Sequence, residues 1–150
     1  MQQLYVPATS ANLGPGFDTL GLALDWYNVF TVQAAPTCQV VVSPSSSVSV
    51  QHLNPAWNNN LLAKAYSAYF EFRNTSVIPA QLTAQLHVPI SRGLGSSASA
   101  VVAGLMLANA MHPNPIDTID LLPLAVTLEG HPDNVTPALL GGVYCSLTQR

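Results

Sequence analysis

The fold is decided by ten residues, G-L-G-S-S-A-S-A-V-V at positions 93–102. The two glycines remove side chains where the backbone could approach a ligand, and two serines follow as short hydroxyl donors. An apolar helix is predicted over residues 96–111, and its free amides and positive dipole end would face the glycine turn. The stretch therefore predicts a phosphate-binding corner. The alternative is an ordinary strand–turn–helix corner in which a serine caps the helix.

Glycine turns of this kind serve several ligands. A Walker A loop requires G-x-x-x-x-G-K-[ST], and no lysine follows these glycines, which excludes it. Gly93, Gly95 and Ala98 do satisfy the dinucleotide pattern G-x-G-x-x-[GA]. Asp117 and Asp120 lie about twenty residues downstream, where a ribose-binding acid is expected. A dinucleotide fold opens with this pattern, however, whereas most of an α/β module precedes it here. We therefore favour a phosphate cradle, which uses every residue of the motif, and keep the dinucleotide site as the alternative.

Composition narrows the class of protein. The chain has 150 residues, which predicts one domain, and 49% of them are hydrophobic. Only 7% are charged, with 4 Lys plus Arg against 7 Asp plus Glu and a net charge of -3. The lack of a basic patch argues against a nucleic-acid partner. So few charges predict a surface partly covered by another domain or subunit.

Hydropathy argues against a membrane protein. The longest apolar run, residues 100–108, is too short to span a bilayer. The N-terminal M-Q-Q-L-Y-V-P has neither the basic start nor the apolar segment of a signal peptide. These two features predict a cytoplasmic protein without a membrane partner.

The pattern along the chain predicts a mixed order of strands and helices. Strands are expected at residues 3–6, 26–34, 39–43, 82–88 and 142–147, with a possible short strand at 48–53. Helices are expected from residue 59 or 60 to about 73, over 96–111, and from 117 or 118 to about 129. Pro123 would interrupt the last of these unless it lies close to the first turn. A glycine-rich turn is expected at residues 8–21.

A second candidate site segment is P-A-T-S-A-N-L-G-P-G-F-D-T-L-G-L-A-L, residues 7–24. Its glycines and proline shape a tight loop on which Asn12 and Asp18 are the strong polar side chains. This segment predicts a ligand-binding loop, and the alternative is a structural turn with an Asx cap.

The third segment is L-E-G-H-P-D-N-V-T-P-A-L-L-G-G, residues 128–142. It brings Glu129, His131, Asp133 and Asn134 into six residues. Such a density of polar groups is unusual in a chain with so few charges, and it predicts a functional site. The alternative is a polar loop in which His131 is merely exposed.

Together these three segments resemble the GHMP kinases. The nucleotide-loop motif of that family, P-x-x-x-G-L-G-S-S-A, matches residues 89–98, and E-G-H-P-D-N-V-x-P-A matches residues 129–138. The pairing of S-A-N-L-G-P-G-F-D with G-H-P-D-N-V is typical of the members that phosphorylate homoserine. The resemblance implies an α+β fold, a sheet backed by helices, like the N-terminal domain of the family. The family's third motif, a G-x-G-P segment in a C-terminal domain, is absent, so residues 1–150 are expected to form the N-terminal ATP-binding domain alone.

The resemblance also implies how ATP and Mg²⁺ would be bound. Backbone amides around the two glycines would wrap the phosphates, and Arg92 would either touch phosphate or remain solvated. The hydroxyl of Ser97, or else that of Ser96, would bind Mg²⁺ with the carboxylate of Glu129. The expected nucleotide-binding residues are Pro89, Ile90, Ser91, Arg92, Gly93, Leu94, Gly95, Ser96, Ser97, Ala98 and Ser99.

The substrate residues follow from the same resemblance. Asp18 would pair with the ammonium group of L-homoserine, and Asn12 would lie near the hydroxyl to be phosphorylated. His131 and Asn134 would line the same pocket. With Asn12, Ser97 and Glu129 as the catalytic residues, the expected reaction converts Mg·ATP and L-homoserine into ADP and O-phospho-L-homoserine, a step towards threonine.

The sequence leaves the general base and the substrate class undetermined. The only lysine, Lys64, lies on a different predicted helix from the site, so no general base is assigned. The alternatives are a GHMP kinase for mevalonate-like or sugar substrates, a catalytically silent nucleotide-binding or interaction module, and a nicotinamide-binding protein. The expected partners beyond the substrates are a second copy in a homodimer or the missing C-terminal domain.

Overall fold

The computed structural model describes residues 1–14, 19–49 and 54–147. Its strands are β1 (Gln2–Ala11), β2 (Leu20–Ala34), β3 (Gln39–Val42), β4 (Ala80–Gln85) and β5 (Val143–Cys145). Its helices are α1 (Leu61–Phe72), α2 (Ser96–Met111), α3 (Leu122–Glu129) and α4 (Pro132–Leu140). Short 3-10 turns at Trp57–Asn59 and Thr118–Leu121 lead into α1 and α3.

The strands form one sheet in the order β1-β2-β4-β3, and β5 pairs with the start of β2. All pairs are antiparallel except β3 with β4, which run parallel. Buried and half-buried residues alternate along β4, as expected for a strand with one face on the core. One hydrophobic cluster joins that face to the helices. The predicted α+β fold, a sheet backed by helices, is confirmed.

Helix α2 lies at the centre of this core. Val101, Leu105 and Ala108 are fully buried, and a helix that is apolar on most sides is stable only when surrounded. Gly104 allows α1 to come close, since a Cβ there would lie 2.4 Å from the carbonyl oxygen of Leu62. The bounds predicted for α2 are confirmed. Its burial fixes the direction in which its N-terminus points.

Helix α1 begins where its cap predicts. The side-chain oxygen of Asn60 accepts a hydrogen bond from the backbone N–H of Leu62 at 3.0 Å. Farther along the helix, burial raises the pKa of the Tyr66 hydroxyl, which donates to the carbonyl of Ile78 at 3.0 Å. The first contact fixes the start of the helix, and the second joins its middle to the segment before β4.

Some predicted boundaries are wrong. Strand β1 runs on to Ala11, so residues 8–11 belong to the sheet and not to a turn. Helix α4 was not predicted, because two prolines and a polar start hide it in the sequence. Pro123 is compatible with α3, since it occupies the first turn, where its missing N–H costs nothing. The possible strand at 48–53 is not formed at residues 48–49, and its remainder lies outside the described residues.

No helix in the part of the chain described above is long and apolar enough to cross a membrane.

Candidate active site

A cavity of about 580 Å³ opens beside the N-terminus of α2. One part of its lining is apolar and comes from β2, β3, β4 and α1: Phe30, Val40, Val42, Leu61, Leu62, Ala84 and Leu86. The other part is polar and comes from the loop before α2 together with Asn12, Asn28 and Asn134. A cavity with these two kinds of wall suits a ligand that has a flat apolar end and a charged end.

The loop before α2, residues 89–95, is called the glycine loop here. Its backbone turns through positive φ angles at Ser91 (58°), Gly93 (72°) and Gly95 (66°). A Cβ at Gly95 would lie 1.9 Å from the Thr9 hydroxyl oxygen, whereas nothing lies within 4 Å of one at Gly93. Gly95 is therefore required by packing against β1, and Gly93 by the backbone conformation alone. The N–H of Thr9 also donates to the carbonyl of Leu94 at 3.2 Å, which ties the loop to the sheet.

The N-terminus of α2 is open. Gly95 is its N-cap and Ser96 its first helical residue, so the predicted alternative of a serine cap is wrong. Among the described residues, no side chain caps this end, and its first turn holds no acid. The first N–H groups of a helix have no partner within the helix. Gly95, Ser96 and Ser97 at this helix end line the cavity, where an anion could satisfy such groups.

A serine and a glutamate meet beside this helix end. The Ser97 hydroxyl, in the first turn of α2, donates to Oε1 of Glu129, the last residue of α3. The dipole of α3 disfavours a carboxylate at this C-terminus, whereas the contact with Ser97 places the same carboxylate beside the positive end of α2. Two adjacent hard oxygens fit Mg²⁺, which takes one or two protein oxygens with phosphates and water as its other ligands. The described residues contain no group of three His, Cys, Asp or Glu that could hold a metal by themselves.

The start of α4 packs beside the glycine loop, since Oδ1 of Asn134 would lie 3.2 Å from a Cβ at Gly95. The Thr9 hydroxyl donates to Oδ1 of Asn134 at 2.8 Å, and the backbone N–H of Asn134 donates to Oδ1 of Asp133 at 3.0 Å. Nδ2 of Asn134 lies 3.4 Å from the same Asp133 oxygen. Because two acceptor oxygens would repel at that distance, the amide of Asn134 has one favoured orientation. Thr9 therefore joins the glycine loop to the neighbouring Asn134 at one end of the cavity.

Most residues predicted for the site meet at this cavity. Those that line it are Asn12, Ile90, Ser91, Gly93, Leu94, Gly95, Ser96, Ser97 and Asn134. Glu129 joins them through Ser97. His131 is exposed at the N-cap of α4 and is not part of the lining. Asp18 lies outside the described residues.

Four members of the predicted nucleotide loop lie off the lining: Pro89, Arg92, Ala98 and Ser99. Arg92 is exposed, whereas Ala98 and Ser99 are buried against the core. The Ser99 hydroxyl accepts a hydrogen bond from Asn28 at 3.3 Å, so it is engaged inside the fold.

Sequence reasoning missed Thr9, Asn28 and the apolar wall of the cavity. Asn28 had a signal, since it is the one amide in the middle of an apolar strand pattern at residues 26–32. Thr9 lies within the second motif but carries no distinguishing spacing. The apolar wall is assembled from four separate elements and has no local signal.

Comparison with known proteins shows the family to which the chain belongs. The model of the GHMP kinases N-terminal domain matches residues 60–142. The chain belongs to the GHMP kinase family. A homoserine kinase from Synechococcus sp. is 47% identical over 148 residues, which is 99% of this chain and 47% of that relative. The chain thus spans about half the length of the curated relatives it matches.

Solved structures agree with this membership. The crystal structure of homoserine kinase from Cytophaga hutchinsonii is 29% identical with a TM-score of 0.79, over 94% of this chain and 46% of that one. The mevalonate kinase of Methanococcus jannaschii has a TM-score of 0.73 at 14% identity, covering 95% of this chain and 52% of that one, and it shows the fold alone. The predicted GHMP kinase N-terminal fold is confirmed.

Proposed function

We propose that this chain is the N-terminal, ATP-binding part of a homoserine kinase, and that residues 1–150 form that domain. The observation that carries the proposal is the open N-terminus of α2, which faces the same cavity as Asn12 and Asn134. Relatives named homoserine kinase that match nearly all of this chain support the choice of substrate.

ATP would lie along the cavity from its apolar wall to the glycine loop. The base fits between aliphatic side chains such as Val40, Val42 and Leu61, where burial from water favours a flat ring. The phosphates fit at the N-terminus of α2, where backbone amides and the helix dipole favour negative charge. Gly93 lines the cavity, and nothing lies within 4 Å of a Cβ placed there, so the space beside this residue is open.

Mg²⁺ would be held by the Ser97 hydroxyl and the Glu129 carboxylate. These groups are already in contact, and a hydroxyl with one carboxylate leaves the remaining positions for phosphate oxygens and water. When bound, the ion would neutralise charge on the β- and γ-phosphates. Glu129 would keep the ion at the helix end.

Homoserine would occupy the polar part of the cavity. Asn12 would orient the hydroxyl that is phosphorylated. Asn134 would contact the substrate with the second N–H of its Nδ2, since Thr9 bonds its Oδ1 and Asp133 accepts from the first N–H at 3.4 Å. Asp18 would pair with the ammonium group, and His131 would contribute from the rim of the site.

The phosphoryl group would pass directly from ATP to homoserine, without a covalent intermediate on the protein. The homoserine oxygen bonds to the γ-phosphorus, the bond between that phosphorus and the leaving ADP oxygen breaks, and the hydroxyl proton passes towards the transferred phosphate. Positioning and charge neutralisation supply most of the acceleration in such transfers. The helix end and Asn12 supply the positioning, so a protein base is not required.

The first test is ADP formation by the purified chain with Mg·ATP, with and without L-homoserine, next to binding of Mg·ATP alone. Binding without turnover is expected, since residues 1–150 span about half the length of the homoserine kinases they match. A fusion to the C-terminal half of the Synechococcus relative is then expected to form ADP only when homoserine is added. A substrate panel with mevalonate and sugars tests specificity. Turnover of one of these in preference to homoserine contradicts the substrate assignment, and failure to bind Mg·ATP contradicts the ATP assignment.

A further inference from the structure

We propose that Asn28 is a positioning residue that sets the geometry of the glycine loop. The inference rests on the proposed function, since the loop is taken to bind phosphates. Asn28 belongs to none of the three motifs and lies outside the residues that match the family model. It is 2% exposed and sits in β2 at the floor of the cavity.

One side chain bonds both ends of the loop. Oδ1 of Asn28 accepts from the backbone N–H of His87 at 2.8 Å and from that of Val88 at 2.9 Å, the two residues just before the loop. Nδ2 donates to the hydroxyl of Ser99 at 3.3 Å, in the first turn of α2. The entry to the loop and the helix that follows it are thus joined through a single amide.

The orientation of this amide is determined by its partners. Two backbone N–H groups can be accepted only by an oxygen, so Oδ1 must face His87 and Val88. Nδ2 is then directed at Ser99. A hydroxyl can accept from it, which makes Ser99 a matched partner.

The position of Asn28 in the sheet explains why the amide is needed. The ladder between β2 and β4 ends at the pair Val29–Gln85, after which the chain leaves the sheet towards the glycine loop. The backbone amides of His87 and Val88 have no strand to pair with there, and Val88 is buried. The side chain of Asn28 takes the place of the missing strand. Without it, the entry to the loop is released from the sheet.

Loss of the Asn28 amide is expected to affect the binding of phosphate groups alone. The loop amides must converge on one point, whereas the side chain of Asn28 bonds to His87, Val88 and Ser99 and to none of the residues of the apolar wall. Removing the amide should therefore weaken the binding of phosphate groups and leave the binding of the base unchanged.

The test compares Asn28→Ala with Val32→Ala. Val32 lies on the same strand, is equally buried and does not line the cavity, so its truncation lowers the melting temperature without touching the loop. Dissociation constants for Mg·ATP, Mg·ADP and adenosine are measured by NMR titration of the intact chain. Asn28→Ala is expected to raise the first two by about tenfold and to leave that of adenosine within about twofold. Val32→Ala should leave all three unchanged.

A milder variant covers the case in which Asn28→Ala does not fold. Ser99→Ala keeps both hydrogen bonds from the backbone to Asn28 and removes the third. The dissociation constant of Mg·ATP is therefore expected to rise about threefold, and that of adenosine is expected to stay the same. The inference is overturned if ATP and adenosine lose affinity equally. It is also overturned if the affinity for ATP is unchanged in either folded variant.

A measurement without nucleotide separates this inference from the proposed function. Amide hydrogen exchange of the glycine loop should become about tenfold faster in Asn28→Ala than in Val32→Ala. If the unaltered chain binds no Mg·ATP, the proposed function fails. The exchange comparison then decides by itself whether Asn28 orders the loop, and equal rates in the two variants overturn that role.

Discussion

The helices α2 and α4 both begin at the cavity, yet their N-termini are built for different tasks. The first turn of α2 holds small residues without an acid, and no described side chain caps it. The first turn of α4 contains Asp133, which is 3% exposed and accepts the N–H of Asn134. A helix end that supplies its own carboxylate has its positive pole neutralised. The open end is therefore suited to a ligand anion, and the closed end to a fixed wall that presents Asn134.

The strongest test of this contrast is Gly95→Ala. Positive φ and a Cβ placed 1.9 Å from the Thr9 hydroxyl oxygen would force the open helix end away from β1. We expect a loss of about 3 kcal/mol in the free energy of unfolding, and loss of Mg·ATP binding by about a hundredfold or more. Urea denaturation and calorimetric titration measure the two effects.

Gly93→Ala is the matched control for that stability loss. It carries the same backbone penalty, but its Cβ meets nothing within 4 Å. The free energy of unfolding should fall by only about 1 kcal/mol. Equal destabilisation by the two variants would show that Gly95 is not wedged against Thr9.

At the closed end, Asp133→Ala removes a buried carboxylate. The N–H of Asn134 loses its partner, and we expect the free energy of unfolding to fall by about 2 kcal/mol. Affinity for Mg·ATP should remain within about twofold, because this helix end does not hold phosphate. A large loss of ATP affinity in a folded Asp133→Ala protein would remove the contrast between the two ends.

Glu129→Gln separates metal binding from folding. The neutral amide no longer opposes the dipole at the end of α3, but it also loses the charge-assisted hydrogen bond from Ser97 beside the N-terminus of α2, so the stability of the metal-free chain should change by less than about 1 kcal/mol. Affinity for ATP in the presence of Mg²⁺ should fall by roughly tenfold, while affinity in EDTA should not change. Equal effects with and without the ion would exclude Glu129 as a magnesium ligand.

Thr9→Val is expected to have the smallest effect. It keeps the shape of a fully buried side chain and removes the hydroxyl that fixes the Asn134 amide, at a cost of about 1 kcal/mol in stability. In the fused enzyme, KM for homoserine should rise while that for ATP does not. Steady-state kinetics with each substrate varied in turn would show an equal rise for both if Thr9 acts only on the fold.

The accuracy of the sequence predictions followed how local each signal is. Helix α2 was predicted to the residue because a glycine turn opens it and its apolar run is continuous. The start of α1 was predicted at residue 59 or 60, and the cap is Asn60, because its partner lies two residues away. Helix α4 was missed because its prolines and polar start imitate a loop, and packing against β1 and β2 overrides that local preference.

What the sequence by itself determined is the chemistry available: a glycine turn before an apolar helix, and hydroxyl, amide and carboxylate groups in three short motifs. What only the tertiary structure decided is which of these groups meet. Thr9 reaches Asn134 across 125 positions of the chain, and Asn28 reaches Ser99 across 71. No periodicity encodes such contacts, because they arise when buried strands and helices pack in one arrangement and every buried polar group must find a partner.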